Sequence, residues 1–322
     1  MSALGLSSRG FKIGTCIFGN HGAKMGSVKQ IVHDGDTVEG RLNDNIGIRF
    51  LGIDSAEVSF PLPASTFVSL KNDRWDAFFT SGKWPSGLNF DAGLLQNLES
   101  RIGDGQDVAP NHARHADRAQ RSLEDIIQDD LDLSGKKPAD FTMFMAFAHE
   151  FLDGTGRLLC YLNSADTNFA DPEVAKAVTK LSYNERQMAS GAAMPYFIWP
   201  NIQPFLLGSP FAPANIRPET FWKTVKGSSK LKSARKNVAA ARAAGLGVFD
   251  PQDPLRLEPF ELRFISRRKP PTRYVIDLSQ PGSNRLLGPQ QYYQIPNPED
   301  RLYIPAEYVL IFEHLGWAVA GD

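Results

Sequence analysis

The chain predicts an α+β fold, mainly β with helices, centred on a small closed five-stranded Greek-key barrel of the OB type. Three observations predict it. Short β-rich runs follow one another at residues 11–18, 27–33, 37–42 and 47–53, punctuated by Gly, Asn and Asp. Two further runs, 141–151 and 157–162, flank Asp153-Gly154-Thr155-Gly156, a strong hairpin signal. Helix-forming stretches are interleaved late in the chain.

The first four runs read as a β-meander. His33-Asp34-Gly35-Asp36 makes a tight turn in which Gly35 supplies a permissive backbone, and Asn43-Asp44-Asn45 makes a second. Asp36 and Arg49 then project from adjacent strands. Residues 59–111 lack periodicity and are rich in Pro, Gly, Ser and Asn, yet Trp75, Phe78, Phe79 and Trp84 must pack, so the stretch reads as a long insertion with short helices. At 117–131, Ala119, Leu123, Ile126, Ile127 and Leu131 form an apolar stripe opposite a charged face, which predicts a helix. Residues 182–193 predict a short helix ended near Pro195, and 219–244 one or two more. Residues 261–265, 273–278 and 309–312 are candidate strands. Residues 1–250 thus form the barrel domain with about three core helices and an insertion at 59–115, and 251–322 a C-terminal extension packed on the core.

Composition narrows the function classes. At 322 residues, 42% apolar and 22% charged, the chain has ample material for a core. A net charge of −1 lacks the basic balance of a protein that binds nucleic acid by overall electrostatics, so any polyanion site must be local. Residues 217–273 carry 14 Lys/Arg against 5 Asp/Glu, and residues 59–150 carry 9 against 14. Such runs are commonly solvated helix faces; next to a phosphate-handling motif the basic one becomes a candidate phosphate-tracking surface. Cys16 and Cys160 sit in apolar, strand-like surroundings and read as two buried thiols. No apolar run approaches a membrane span, and residues 1–14 lack the cationic start and apolar core of a signal, so the chain reads as cytoplasmic, or as secreted with its signal already removed.

Chemistry concentrates in Val32-His33-Asp34-Gly35-Asp36-Thr37 and Ile48-Arg49-Phe50-Leu51-Gly52-Ile53-Asp54-Ser55-Ala56-Glu57. Asp36 and Asp54 can offer a divalent cation hard oxygen ligands, Arg49 can hold a phosphate and Glu57 can act on a water. These are the parts needed to cleave a phosphodiester.

With Gly156-Arg157 on the later hairpin, the pattern resembles the staphylococcal nuclease (thermonuclease) family, in which D-G-D-T is followed by an R-x-x-x-x-D-x-x-E run and by a G-R pair opening a strand. Tyr183-Asn184-Glu185 with Ser190-Gly191-Ala192, and residues 234–249, resemble that family's later helices, so the likeness spans roughly residues 27–250. The resemblance implies one Ca²⁺ held by Asp36, Asp54 and the Ser55 carbonyl, with waters completing the shell. It implies a phosphate gripped by Arg49 and Arg157, and Glu57 as general base or as the group orienting the attacking water. DNA and RNA would be substrates, and 3′-phosphates the products. Phe197 and Trp199 stand where the family has two nucleotide-contacting tyrosines, keeping a stacking face without the hydroxyl. Ala56 replaces a proline, and Gly154 a basic residue before the G-R pair.

Other readings compete at single positions. Asp34 suits a turn former that hydrogen-bonds its own backbone. His112 and His115 suit a helix-start pair, and Phe197 and Trp199 suit core aromatics as well as base stacking. The alternative function on the same barrel is a catalytically weak nucleic-acid or protein interaction module.

Overall fold

The computed structural model describes residues 4–6, 12–19, 28–41, 45–62, 66–165, 173, 180–202 and 209–320. Its N-terminal β-rich runs are β1 (Leu4–Leu6), β2 (Lys12–Phe18), β3 (Val32–Asp34), β4 (Thr37–Arg41), β5 (Asn45–Phe50) and β6 (Gly52–Asp54). The insertion holds a short antiparallel pair, β7 (Ser59–Pro61) and β8 (Phe67–Ser69), then α1 (Arg74–Thr80), α2 (Ala92–Ile102) and the long α3 (Val108–Ser134). After the β9 (Thr142–Leu152) and β10 (Leu158–Ser164) hairpin come α4 (Tyr183–Ala189) and β11 (Met194–Ile198). The chain continues through α5 (Pro213–Ile216), α6 (Pro218–Gly227), α7 (Ser229–Ala243), α8 (Pro259–Arg267), β12 (Tyr274–Asp277), β13 (Arg285–Leu286), β14 (Arg301–Ile304), α9 (Val309–His314) and β15 (Ala318–Val319). The expected turn at Asn43 and Asp44 lies outside the described residues.

Five strands close into a mixed barrel in the order β2–β9–β10–β5–β4, with β4 pairing back onto β2 through Ile17↔Arg41 and Phe18↔Gly40. Only β10 and β5 run parallel within it. Period-two alternation turns Val38, Ile48, Met143, Met145, Leu158 and Cys160 inward, where all are buried. Both cysteines are free, and burial pushes the Cys16 thiol up to about 12.

A second sheet, β12–β14–β11–β6, ties the C-terminal stretch to the barrel. Strand β6 pairs antiparallel with β11 (Met194↔Asp54), and β14 lies parallel to β11 on its other side (Phe197↔Leu302). Two apolar cores result. The first fills the barrel and reaches Leu302, Phe312 and Trp317; the second joins Phe60, Trp75 and Leu98 of the insertion to Leu262, Ile265 and Tyr292. Residues from the insertion and from the last seventy positions therefore share one interior.

Two expected strands are helices. Residues 261–265 lie in α8, where Pro259 occupies the first turn and the Glu258 amide donates to the Glu261 carboxylate at 2.7 Å. The alternation of Glu261-Leu262-Arg263-Phe264-Ile265 resembles a strand, but Phe260 and Phe264 also stand a helical turn apart and both are buried. Residues 309–312 lie in α9, which buries Val309 and Phe312 at i, i+3 and leaves Leu310 75% exposed.

Candidate active site

The Gly35-Asp36 turn between β3 and β4 sits at the base of the site. Helix α3 crosses it so closely that a Cβ on Gly35 would lie 2.4 Å from the Ala119 Cβ and 3.0 Å from the Ser55 Cβ. The Gln187 amide on α4 donates to the Gly35 carbonyl (2.7 Å) and the Ala119 carbonyl (3.0 Å), pinning turn to helix. Nearby, Asn184 accepts from the Leu162 amide and donates to the Leu51 and Cys160 carbonyls, fixing the bend between β5 and β6 against β10. A capping box between Ser182 and Glu185 starts α4 and so places both amides.

Within that frame Asp36 is 1% exposed. Its Oδ1 accepts from the Thr37 hydroxyl (2.9 Å) and its Oδ2 from the Ser55 amide (3.2 Å), while its own amide donates to Asp34 Oδ1 (3.1 Å). Burial works against the Asp36 charge, yet the Arg49 guanidinium and hydrogen bonds from Asp34, Ser55 and Thr37 outweigh it and hold the carboxyl below the usual carboxylate range. Burial and then the Asp36 charge push Asp34 well above that range. Asp34 is thus both a turn former and the electrostatic partner of Asp36.

Arg49 stands opposite Thr37 across the β4–β5 pair. Its Nη2 lies 3.5 Å from Asp36 Oδ2 and 3.3 Å from Asp54 Oδ1, so one guanidinium bridges two buried carboxylates. A second guanidinium comes from α8: Arg263 Nη2 is 2.8 Å from Asp54 Oδ1 and 2.8 Å from Glu57 Oε1. Burial opposes the Arg263 charge, but Asp54 and Glu57 outweigh it and hold the group firmly protonated. The Glu57 amide donates to His112 Nε2 at 3.3 Å, which requires a neutral ring with its proton on Nδ1. Burial, with the adjacent His115, pushes His112 down to about 3 and keeps it neutral.

The structure brings Asp36, Arg49, Asp54, Ser55 and Glu57 together at one end of the barrel. Arg157 joins the same face by register. Leu158 pairs with Ile48 and Leu159 with Arg49, which sets Arg157 beside Gly47, where an added Cβ would meet its Cγ at 2.9 Å. Among the described residues its ion-pair partner is Asp153, at 2.7 Å. Burial opposes the Asp153 charge, but hydrogen bonds from Thr155 and then from Arg157 outweigh it and hold the carboxyl at about 2.

Phe197 and Trp199 are not available for base stacking. Each is 1% exposed, because β14 covers β11, and Trp199 is boxed in by Phe211, Tyr308 and Phe312. They are core aromatics.

Among the described residues no group of three or more carboxylate, histidine or cysteine side chains is placed to hold a metal ion. Two carboxylates converge on one cationic nitrogen, and beside them the buried Ser55 hydroxyl has no hydrogen-bond partner. That donor set suits a hard cation taking most of its ligands from backbone and water, and no ion that needs a full side-chain cage.

Two contributors lie outside the motif. In the sequence His112 is legible only as a helix-start residue, and Arg263 stands in a run that alternates like a strand. The Glu258-Pro259-x-Glu261 capping signal could have placed Arg263 on a helix, though nothing local pairs it with residues two hundred positions earlier. Compared with models of protein families and with curated proteins, the chain gives no match.

Proposed function

We propose that this protein hydrolyses phosphodiesters of DNA or RNA, in the manner implied by its resemblance to the staphylococcal nuclease family. What supports this is the Arg49 guanidinium spanning Asp36 and Asp54 within 3.5 Å, with Glu57 held beside them. In this reading Asp36, Asp54 and the Ser55 carbonyl would hold Ca²⁺, which when bound would supply positive charge at the reacting phosphate.

The remaining work falls to side chains. Glu57 takes the proton of the water as its oxygen bonds to phosphorus; the bond from phosphorus to the 5′-oxygen breaks, and that oxygen leaves with a proton from solvent. Arg49 neutralises charge gathering on the phosphoryl oxygens, and Arg157 approaches the same face from β10. Arg263 must release both Asp54 and Glu57 before the first can take a cation and the second can act as a base. The 3′-phosphate product follows from which bond breaks.

Digestion of plasmid and of single-stranded RNA with Ca²⁺ or with chelator tests the reading. Cleavage is expected only with Ca²⁺, and Arg49→Ala should lower kcat by about 10²–10³-fold with its circular dichroism unchanged. Cleavage indifferent to chelator would remove the metal, and an unimpaired Arg49→Ala would remove Arg49. One observation favours the second reading, an interaction module: Arg263 already neutralises Asp54 and Glu57. Oligonucleotide binding without cleavage under either condition would establish it.

A further inference from the structure

Beside Arg263 an open cavity of about 200 Å³ lies between α8 and the start of β12. Arg263, Arg267, Lys269 and Arg273 line it, over a floor that includes Tyr196 and Phe260, and no Asp or Glu lines it. Arg263 and Arg267 stand one helical turn apart on α8 and so share a face. Pro270 and Pro271 then hold the chain extended, which returns Arg273 to the same cavity.

Three of these four charges are uncompensated. Arg263 is spent on Asp54 and Glu57, but among the described residues Arg267, Lys269 and Arg273 have no carboxylate partner. Arg267 and Lys269 are exposed. Arg273 donates to the Tyr196 hydroxyl at 2.6 Å and lies 5.5 Å over that ring, and its Nε is buried without a partner. Three such cations around one hollow repel one another unless an anion enters. Their position names the anion. Tyr196 pairs with Gly52 on the strand that ends in Asp54, and Arg263 spans the wall between hollow and carboxylates. Arg273 lies over the Tyr196 ring, which also stacks on Phe260 at 5.4 Å, so the floor offers an apolar surface and no free ring face, which suits a sugar beside a phosphate.

We infer that this cavity is a subsite for the nucleotide adjoining the scissile phosphate, taking its phosphate on Arg267, Lys269 and Arg273 and its sugar against the apolar floor. The inference rests on the nuclease reading of the adjoining carboxylates. It gives the C-terminal extension a substrate-binding task of its own.

The test is fluorescence anisotropy of a labelled single-stranded hexanucleotide on the full chain, in chelator so that no turnover occurs, with Ca²⁺ cleavage measured in parallel. The double variant Arg267→Ala/Lys269→Ala should weaken binding at least tenfold and lower the salt slope by roughly 0.7 for each phosphate it no longer neutralises. The control Lys137→Ala/Arg285→Ala, which removes the same charge from exposed positions outside residues 217–273, should bind like the parent chain. Parent-like binding by the cavity variant, with cleavage intact, would overturn the subsite and leave the nuclease reading standing. Equal weakening by both double variants would overturn it as diffuse electrostatics, and so would capture of an acidic peptide with no affinity for the hexanucleotide. Selective loss of binding in a protein that cleaves nothing would uphold the nucleotide site and sink the nuclease reading.

Discussion

The Asp54 carboxylate is met by two guanidiniums, Arg49 from five residues away and Arg263 from 209 residues away. The near partner was legible because the R-x-x-x-x-D-x-x-E run contains it; the distant one was not, because no sequence pattern couples a helix in the extension to a strand end in the barrel. His112 shows the same limit. Its neutral ring accepts the Glu57 amide, and its folded pKa of about 3 lies below its ordinary 6.5. The unfolded chain therefore binds more protons between those values, so this contribution to stability is complete above about pH 6.5 and is lost as pH falls. At pH 5 the loss amounts to about 2 kcal/mol. Urea midpoints at pH 7 and pH 5 should show it as a drop of the parent chain relative to His112→Gln, whose amide oxygen can still accept from Glu57. Equal drops in both proteins would place the acid sensitivity elsewhere.

Between elements, the approach of β5 and β10 decides where Arg157 points. These strands are parallel, and Gly47 leaves the space that the Arg157 side chain fills. Gly47→Ala should cost little stability, about 1 kcal/mol, because a flexible side chain can move aside. The same change lifts Arg157 off the face it shares with Arg49, so nuclease turnover should fall at least tenfold more than stability accounts for. Denaturation and cleavage assays on that variant check both halves; parent-like turnover would show that Arg157 has no part in the chemistry. Most barrel elements could be read locally, since turn glycines and period-two runs encode them. α8 and α9 could not, because four or five residues of alternating or continuous apolar character fit either period, and only burial by distant partners decides.

For the whole molecule, the shared second core is the least legible feature. The aromatics of residues 59–115 announced that they must pack, but not that Leu262, Ile265 and Tyr292 would receive them. Removing residues 251–322 should therefore destroy more than an appendage: β11 loses β14, Trp199 loses Tyr308 and Phe312, and, among the described residues, the second core loses ten of its 23 buried residues. A chain of residues 1–250 is expected to lose its near-ultraviolet dichroism and its sharp thermal transition, whereas a cooperative transition near the parent temperature would show that the extension stands apart. The Arg263 contact with Glu57, which spans 206 residues, also has a consequence in time. At 5–20 residues per second, a ribosome releases Glu57 roughly 10–40 seconds before Arg263. Through that interval Asp54 and Glu57 lack the guanidinium that pairs with both in the finished molecule. The centre is among the last parts of the molecule to reach its final charge, and a message truncated before α8 yields a chain that lacks the cation paired with Glu57.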